Sequence, residues 1–151
     1  MRRRDFIRLS AAGWLFLGIE GCVKSPASNG WVDVKWDRDT CTRCRMVISD
    51  RRFAAEVRGG PQNDVFKFDD IGCAVFWLRD QSWADERSTR LWVVDATAPT
   101  VEPVSWLDGR TAQYTAGRIS PMGYNFAASA KQQAQAVGFE EMRQRVLMRG
   151  R

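Results

Sequence analysis

The stretch that decides the fold covers residues 52–79 and reads RFAAEVRGGPQNDVFKFDDIGCAVFWLR. It contains two strand-like runs, residues 52–58 and residues 64–68. Between them lies GGPQN at residues 59–63, and Gly, Pro and Asn are residues that turns favour. This pattern predicts a β-hairpin.

A helix is predicted directly after the hairpin. Asp69 or Asp70 can cap its N-terminus, because a carboxylate accepts hydrogen bonds from the free N–H groups of a first turn. The helix is expected to run to about Arg79. Its apolar face is formed at helical spacing by Ile71, Val75, Phe76 and Leu78.

The second half of the chain repeats this order. Residues 111–116 and 124–127 are typical of strands around a turn at 117–123, and Ser129 is expected to cap a helix that Gly138 ends. A hairpin followed by a helix therefore occurs twice. We predict an α+β fold of two similar halves.

Three further elements complete the prediction. Residues 31–36 alternate between apolar and polar side chains, as a half-buried strand does, and residues 91–95 have the composition of a buried strand. Residues 139–148 have the pattern of an amphipathic helix. The mature domain is expected to comprise residues 31–151, a length that suits one hydrophobic core.

The N-terminus has the composition of an export signal. A cationic cluster in residues 1–8 precedes an apolar stretch, residues 9–19, which is much shorter than the roughly 20 apolar residues needed to cross a bilayer. Within the cluster, the pair Arg3-Arg4 resembles the twin-arginine consensus. We therefore predict a signal peptide over residues 1–21 and export by the twin-arginine route.

Cys22 is the predicted site of lipid attachment. It ends a lipobox-like sequence, residues 19–22, in which the cysteine becomes diacylated and forms the new N-terminus. Residues 22–30 have turn-forming composition without periodicity, so they are expected to form a short tether. The protein is thus predicted to be a lipoprotein of the cell envelope that is anchored to a membrane and faces the periplasm.

Charge and histidine content argue against two classes of function. Residues 1–21 contribute +2 of the formal net charge of +5, and the remaining +3 gives little support to nucleic-acid binding. The chain has no histidine, so a hydrolytic triad would lack its base. We therefore expect no nucleic-acid partner and favour a protein that is not an enzyme.

Sulfur is the distinctive chemistry of the chain. Two thiols and a thioether lie close together at Cys41, Cys44 and Met46, and Arg43 and Arg45 favour the thiolate forms of the cysteines. Thiolates and thioethers are soft ligands that select copper(I) over hard cations. In an extended chain, Cys44 and Met46 would share one face and could reach the same ion.

Zinc is the main competitor for a Cys-x-x-Cys pair, but a structural zinc site normally has four cysteine or histidine ligands. With Cys22 lipidated, the available thiols are Cys41, Cys44 and Cys73, so a carboxylate would have to complete a zinc site. Copper(I) accepts two or three sulfur ligands and fits these residues better.

Other roles are open to the same residues. Cys41 and Cys44 could form a disulfide in an oxidising compartment, or could exchange disulfides with other proteins. Cys73 is expected to be a small buried apolar residue, with a third ligand or a redox partner as alternatives. Asp69 and Asp70 are expected to be helix caps and not ligands of a soft ion.

Met122 is a less obvious candidate ligand. It lies in Ser120-Pro121-Met122-Gly123, where proline and glycine predict a turn. In a turn its sulfur could be presented to a metal, although on this evidence alone core filling explains the residue better.

Taken together, the motifs of the chain resemble the NosL family. The motifs are the acylated Cys22, the pattern Cys41-x-x-Cys44-x-Met46-x-Ile48-x-Asp50, the sequence KFDDIGC at residues 67–73, and residues 106–114 leading into Ser120-Pro121-Met122-Gly123. NosL proteins are copper(I)-binding lipoproteins linked to assembly of the copper sites of nitrous oxide reductase. The resemblance implies two treble-clef-like halves, as in the superfamily that includes organomercurial lyase.

The resemblance also implies a ligand set. Cys44 and Met46 match the Cys-x-Met element of the family, Cys41 matches its companion thiol, and Met122 matches the methionine of its Met-Gly turn. The expected function is that of a copper(I) chaperone, with a copper transporter and an apo copper enzyme such as nitrous oxide reductase as partners.

Two enzymatic hypotheses stand beside the chaperone. One is a thiol-disulfide oxidoreductase that uses Cys41 and Cys44, although no thioredoxin-like βαβ pattern surrounds the pair. The other is an enzyme similar to organomercurial lyase. In that case Cys44 and Cys73 would bind mercury, and Asp69 or Asp70 would handle the proton.

Overall fold

The computed structural model describes residues 30–150. The predicted signal peptide, the lipidation site Cys22 and the tether up to residue 29 lie outside the described residues. The elements are β1 (Ala55–Gly59), β2 (Asp64–Phe68), α1 (Ile71–Arg79), β3 (Arg90–Val94), β4 (Trp106–Asp108), β5 (Gln113–Ala116), β6 (Phe126–Ser129) and α2 (Phe139–Met148). Of the helices in this part of the chain, none combines the length and apolarity that a bilayer span requires.

The first hairpin forms as the sequence predicts. Strands β1 and β2 pair antiparallel from Ala55–Phe68 to Gly59–Asp64. The connecting turn places Gly60 at φ +79° and Asn63 at φ +53°, which is left-handed backbone that glycine and asparagine adopt most readily. Strands β3 and β4 extend this sheet, whose order is β2-β1-β3-β4.

Helix α1 covers one face of the larger sheet. Trp77 packs against two aromatic side chains of β2, with ring centroids 4.3 Å from Phe66 and 5.5 Å from Phe68. Asp70 caps the helix by accepting a hydrogen bond from Gly72 N–H. The predicted helix and its end at Arg79 are confirmed.

The opposite face of this sheet is covered by residues 30–36, and the strand predicted there is wrong. Their backbone bonds to side chains that point out of the sheet: Gly30 C=O accepts from Arg58, Val32 N–H donates to Glu56, and Asp33 C=O accepts from Lys67. Val34 is buried, whereas Trp31 and Val32 are 47% and 41% exposed, so the segment is held on the sheet face by these hydrogen bonds and not by strand pairing.

The second hairpin pairs β5 with β6, but the helix predicted from Ser129 to Gly138 is wrong. Ser129 is the last residue of β6, and α2 begins after Gly138. Residues 130–135 are exposed, so a helix there would have no apolar face to bury. Helices in proteins are stabilised mainly by such burial, which outweighs the favourable propensity of alanine and glutamine.

A mixed α+β fold is therefore confirmed, and residues 30–150 form two helices and two antiparallel sheets. The sheets meet where Ala96 N–H donates a 2.9 Å hydrogen bond to Ala128 C=O. One large core lies between the sheet and the helices, and it includes Cys41, Cys73, Tyr124 and Met142, each 0% exposed. The candidate site is thus built into the edge of this core.

Candidate metal site

A tight loop presents the first two cysteines. Thr40 and Val47 form an antiparallel bridge at its base, and Cys41 N–H donates a 2.8 Å hydrogen bond to Met46 C=O. Arg45 has φ +67° and donates from its N–H to Cys41 C=O, so the chain turns sharply after Cys44. The extended conformation that would place Cys44 and Met46 on one strand face is therefore not present.

The junction between β2 and α1 supplies the other two groups. Phe68 ends β2, Asp69 follows it, and Cys73 lies in the first turn of α1. This junction is fixed to the cysteine loop by a 2.8 Å hydrogen bond from Thr42 N–H to Lys67 C=O. The strand end and the helix start thus face the Cys-x-x-Cys turn.

Three thiols and one carboxylate meet at this point. The Sγ atoms of Cys41, Cys44 and Cys73 and a carboxylate oxygen of Asp69 all lie within 4.8 Å of one another. Cys41 and Cys73 are fully buried and Asp69 is 1% exposed, whereas Cys44 is half-buried. All three cysteines are free thiols. Cys44 is therefore the member of the cluster that solvent reaches most easily.

Hydrogen bonds within the cluster distribute its protons unevenly. The Cys73 thiol and the backbone N–H groups of Cys44 and Asp69 hydrogen-bond to Cys41, and together they lower the pKa of Cys41 against the effect of its burial. The pKa of Cys73 is raised because its proton is held by Cys41 and because it is buried. Cys41 is thus the thiol of this pair that ionises first.

For Cys44 and Asp69, burial is the main cause of the shift in pKa. It raises the pKa of Cys44, whose thiol donates to both carboxylate oxygens of Asp69 at 3.3 and 3.5 Å. Burial also raises the pKa of Asp69 to about 6, and the hydrogen bond and negative charge of Cys41 act in the same direction. Four acidic groups share a small buried volume, so a bound cation would relieve their repulsion.

Arg43 brings positive charge to the edge of the cluster. Its guanidinium donates to Tyr124 Oη at 3.0 Å, lies 4.7 Å from the Phe76 ring centroid, and hydrogen-bonds with Cys73. The sequence predicts that this arginine favours thiolate forms; the thiol it contacts is Cys73, whose pKa is nevertheless raised. Arg45, the other arginine of the loop, is exposed.

The predicted methionines flank the site in different ways. Met122 lies on the turn after β5, packs partly buried against the core, and donates from its N–H to Asp70 Oδ2 at 3.2 Å. Met46 is 49% exposed on the cysteine loop. Their roles as ligands stay predictions.

Two members of the cluster differ from what the sequence predicts. Cys73 was expected to be a small buried apolar residue; it is buried, but beside two thiols. Asp69 was expected to be a helix cap, whereas Asp70 alone is the N-cap residue of α1. Asp69 precedes the N-cap of α1, so helical spacing could not place it beside Cys73, and only the contact of both with the cysteine loop reveals them as members of the cluster.

The site has to be interpreted from its own chemistry. No family model matches the chain, and no curated protein matches it either. Within residues 30–150, this cluster is the one group of three or more cysteine and carboxylate side chains that could hold a metal ion. The chain therefore contains a candidate metal site composed of three cysteines and an aspartate.

Proposed function

We propose that the chain is a copper(I)-binding chaperone of the cell envelope, attached to a membrane through lipidated Cys22. The observation that carries this proposal is the meeting of the three thiols of Cys41, Cys44 and Cys73 within 4.8 Å. Thiolates are the protein ligands that select copper(I) most strongly. Three of them around one point supply the soft, negatively charged environment that this ion requires.

The burial of the cluster suits a carrier. Cys41 and Cys73 are shielded from water, which protects a bound copper(I) ion from solvent, whereas half-buried Cys44 gives an incoming or departing ion a first contact. Met46 follows Cys44 two residues later on the cysteine loop, and Met122 bonds through its N–H to Asp70, the neighbour of Asp69. Thioethers there would assist transfer, because they bind copper(I) without charge and release it more easily than thiolates.

The wider role follows the resemblance to the NosL family. Anchoring by Cys22 after twin-arginine export would hold the domain near a copper transporter and an apo copper enzyme similar to nitrous oxide reductase, which raises their effective concentration. The two-halves, treble-clef-like description of the fold belongs to the same proposal. In its favour, each hairpin is followed along the chain by a helix, directly in the first case and after residues 130–138 in the second.

The proposal is tested by copper(I) titration of the reduced mature protein in detergent, in competition with a chromophoric chelator. We expect one copper(I) per chain. Cys44→Ser should cause the largest loss of affinity because it removes the accessible thiolate, while Met46→Leu and Met122→Leu should weaken binding and preserve the fold, since the exchange conserves volume.

Met148→Leu is the matched control for the two methionine variants. Met148 is 77% exposed at the end of α2, so its exchange should leave copper affinity unchanged. Failure of the parent protein to compete for copper(I), or an undiminished affinity in Cys44→Ser, would overturn the copper proposal.

A second candidate function has one observation in its favour. The 3.3 Å contact between Cys44 Sγ and Asp69 Oδ1, beside Cys73, combines mercury-binding thiols with a carboxyl group that can carry a proton. In a carbon–mercury cleavage, two thiolates would bind the mercury of an organomercury cation R–Hg⁺, and the electron pair of the carbon–mercury bond would take up a proton delivered by Asp69. The hydrocarbon R–H would leave, and Hg²⁺ would stay on the two thiolates. Release of benzene from a phenylmercury salt would favour this enzyme over the chaperone.

The thiol-disulfide oxidoreductase is less well supported. Such enzymes attack with an accessible thiolate of low pKa. Here Cys41, whose pKa is lowered, is fully buried, whereas the pKa of the more accessible Cys44 is raised by burial. The cysteine with the lowered pKa and the cysteine that solvent can reach are thus two different residues.

A further inference from the structure

The fourth member of the cluster is a carboxylate, which is a poor ligand for copper(I). Asp69 is 1% exposed and its two carboxylate oxygens accept hydrogen bonds from Cys44. Carboxylate oxygen is a normal ligand of Zn²⁺ and similar divalent ions, whereas soft copper(I) prefers sulfur. A buried acidic side chain among thiols therefore needs an explanation that the copper proposal does not provide.

From the geometry of these four residues we infer that Cys41, Cys44, Cys73 and Asp69 also form a tetrahedral site for a divalent, thiol-binding cation of the Zn²⁺ class, in which Asp69 is the specificity-determining fourth ligand. This inference rests on the metal-binding part of the proposed function and is independent of copper delivery.

Distances in the cluster fit four-coordination. Zinc–ligand bonds of about 2.0–2.3 Å place the four ligand atoms of a tetrahedron about 3.3–3.8 Å apart. Cys44 Sγ and Asp69 Oδ1 already lie 3.3 Å apart, and no pair of ligand atoms exceeds 4.8 Å. Side-chain movements of about 1 Å would bring the four ligand atoms to the separations of a tetrahedral site.

Charge favours a divalent ion in the same place. Three thiolates and a carboxylate carry four negative charges, and Arg43 at the edge of the cluster carries one positive charge, so a monovalent ion would leave a net charge of −2 and a divalent ion a net charge of −1. Buried charge without compensation is expensive. Copper(I) gains little from an oxygen ligand, whereas a divalent ion of the Zn²⁺ class gains from including Asp69.

The surroundings hold the four groups in place before a metal arrives. The Thr40–Val47 bridge and the 2.8 Å hydrogen bond from Thr42 N–H to Lys67 C=O fix the cysteine loop against the end of β2. The cap formed by Asp70 fixes the first turn of α1, which carries Cys73. Such supporting contacts orient metal ligands and strengthen binding. Half-buried Cys44 leaves an entry path for the ion.

The test uses the mature full-length protein in detergent, under anaerobic reducing conditions, with Zn²⁺ and Co²⁺ as the metals. We expect Co²⁺ to give the visible ligand-field bands of a tetrahedral site together with sulfur-to-cobalt charge transfer, and Zn²⁺ to displace it. Asp69→Asn keeps the size of the side chain and removes an anionic ligand. It should lower Zn²⁺ and Co²⁺ affinity at least about tenfold, while copper(I) affinity changes by less than about threefold.

Asp95→Asn is the matched control. It removes one negative charge from another buried aspartate, and asparagine can still accept the hydrogen bonds from Thr97. The inference holds if Asp69→Asn alone loses the divalent ions. It fails if Asp95→Asn loses them equally, because loss of a buried charge would then be the cause, or if Asp69→Asn binds them as tightly as the parent.

The parent protein separates this inference from the proposed function. Binding of copper(I) without any tetrahedral Co²⁺ spectrum would overturn the inference and leave the chaperone proposal standing. Tetrahedral binding of Co²⁺ and Zn²⁺ without copper(I) binding would overturn the chaperone proposal and leave the inference standing. Retention of copper(I) by Asp69→Asn also shows that this variant is folded.

Discussion

Ser120 Oγ donates a 2.5 Å hydrogen bond to Asp70 Oδ2, which joins the turn that carries Met122 to the N-cap of α1 across 50 positions of sequence. The same oxygen accepts from Met122 N–H at 3.2 Å, and Ser120 Oγ accepts from Asn125 N–H at 2.9 Å. Because Asp70 is the neighbour of Asp69, these hydrogen bonds position the turn that carries Met122 relative to the cysteine cluster.

Ser120→Ala should therefore destabilise the domain. The variant removes a donor to a buried carboxylate and an acceptor from Asn125 N–H, and a lost hydrogen bond of this kind costs about 1–3 kcal/mol. Urea denaturation of the apo-protein measures the effect. Ser82→Ala, at an exposed serine, is the control and should change stability by less than about 0.5 kcal/mol. Equal stability of the two variants would contradict the role of the network.

Gly72→Ala should be destabilising although it lies in a helix. Alanine is normally better than glycine there by about 1 kcal/mol. At this position, however, a Cβ atom would come within 2.1 Å of the ring of Tyr124, which is fully buried. Overpacking of this kind costs about 1–3 kcal/mol or more, so the sign of the usual effect should reverse in thermal denaturation.

Gly30→Ala is the control for this exchange. A Cβ atom at Gly30 would meet nothing within 4 Å, so its effect should stay within about 0.5 kcal/mol. If Gly72→Ala were as stable as the parent, the close packing of α1 on Tyr124 would be wrong.

Local sequence information was sufficient for the first hairpin and α1. The turn residues Gly60 and Asn63 adopt the left-handed backbone that their types favour, and an aspartate caps the helix as predicted. Each of these features depends on residues a few positions apart. Such features can be predicted from a sequence.

Features that depend on distant contacts were predicted less well. Two consecutive aspartates precede α1, and composition does not decide which of them caps the helix. In the structure, Asp70 is the cap and also accepts a hydrogen bond from Ser120. Asp69 lies beside the three thiols. The metal cluster joins a loop near residue 41 to a helix near residue 73. Asp69, the fourth member of this candidate site, could therefore be recognised only after the chain had been folded.

The membrane anchor gives the next prediction. Because Cys22 is the predicted acylation site, Cys22→Ser should abolish incorporation of labelled palmitate and move the protein from the membrane fraction to the soluble fraction. Cys44→Ser is the matched control and should be labelled like the parent. Persistent labelling of Cys22→Ser would show that the lipobox interpretation is wrong.

Glu56 should give the apo-protein a distinctive pH dependence. This residue is 0% exposed beneath residues 30–36, one of its carboxylate oxygens accepts from Val32 N–H, and the other has no partner. Burial raises its pKa from 4.5 to about 7. The folded protein therefore holds this proton over a pH range in which the unfolded chain has released it.

The sign of the effect follows from proton linkage. Between about pH 4.5 and pH 7 the unfolded chain binds fewer protons at this position, so Glu56 makes the free energy of unfolding fall as pH rises, by up to about 3 kcal/mol. Glu56→Gln removes the titration, and its stability relative to the parent should rise by that amount across this interval. Exposed Glu86→Gln should show no such rise. Parallel stability curves for the parent and Glu56→Gln, measured by urea denaturation from pH 4 to pH 8, would contradict the prediction.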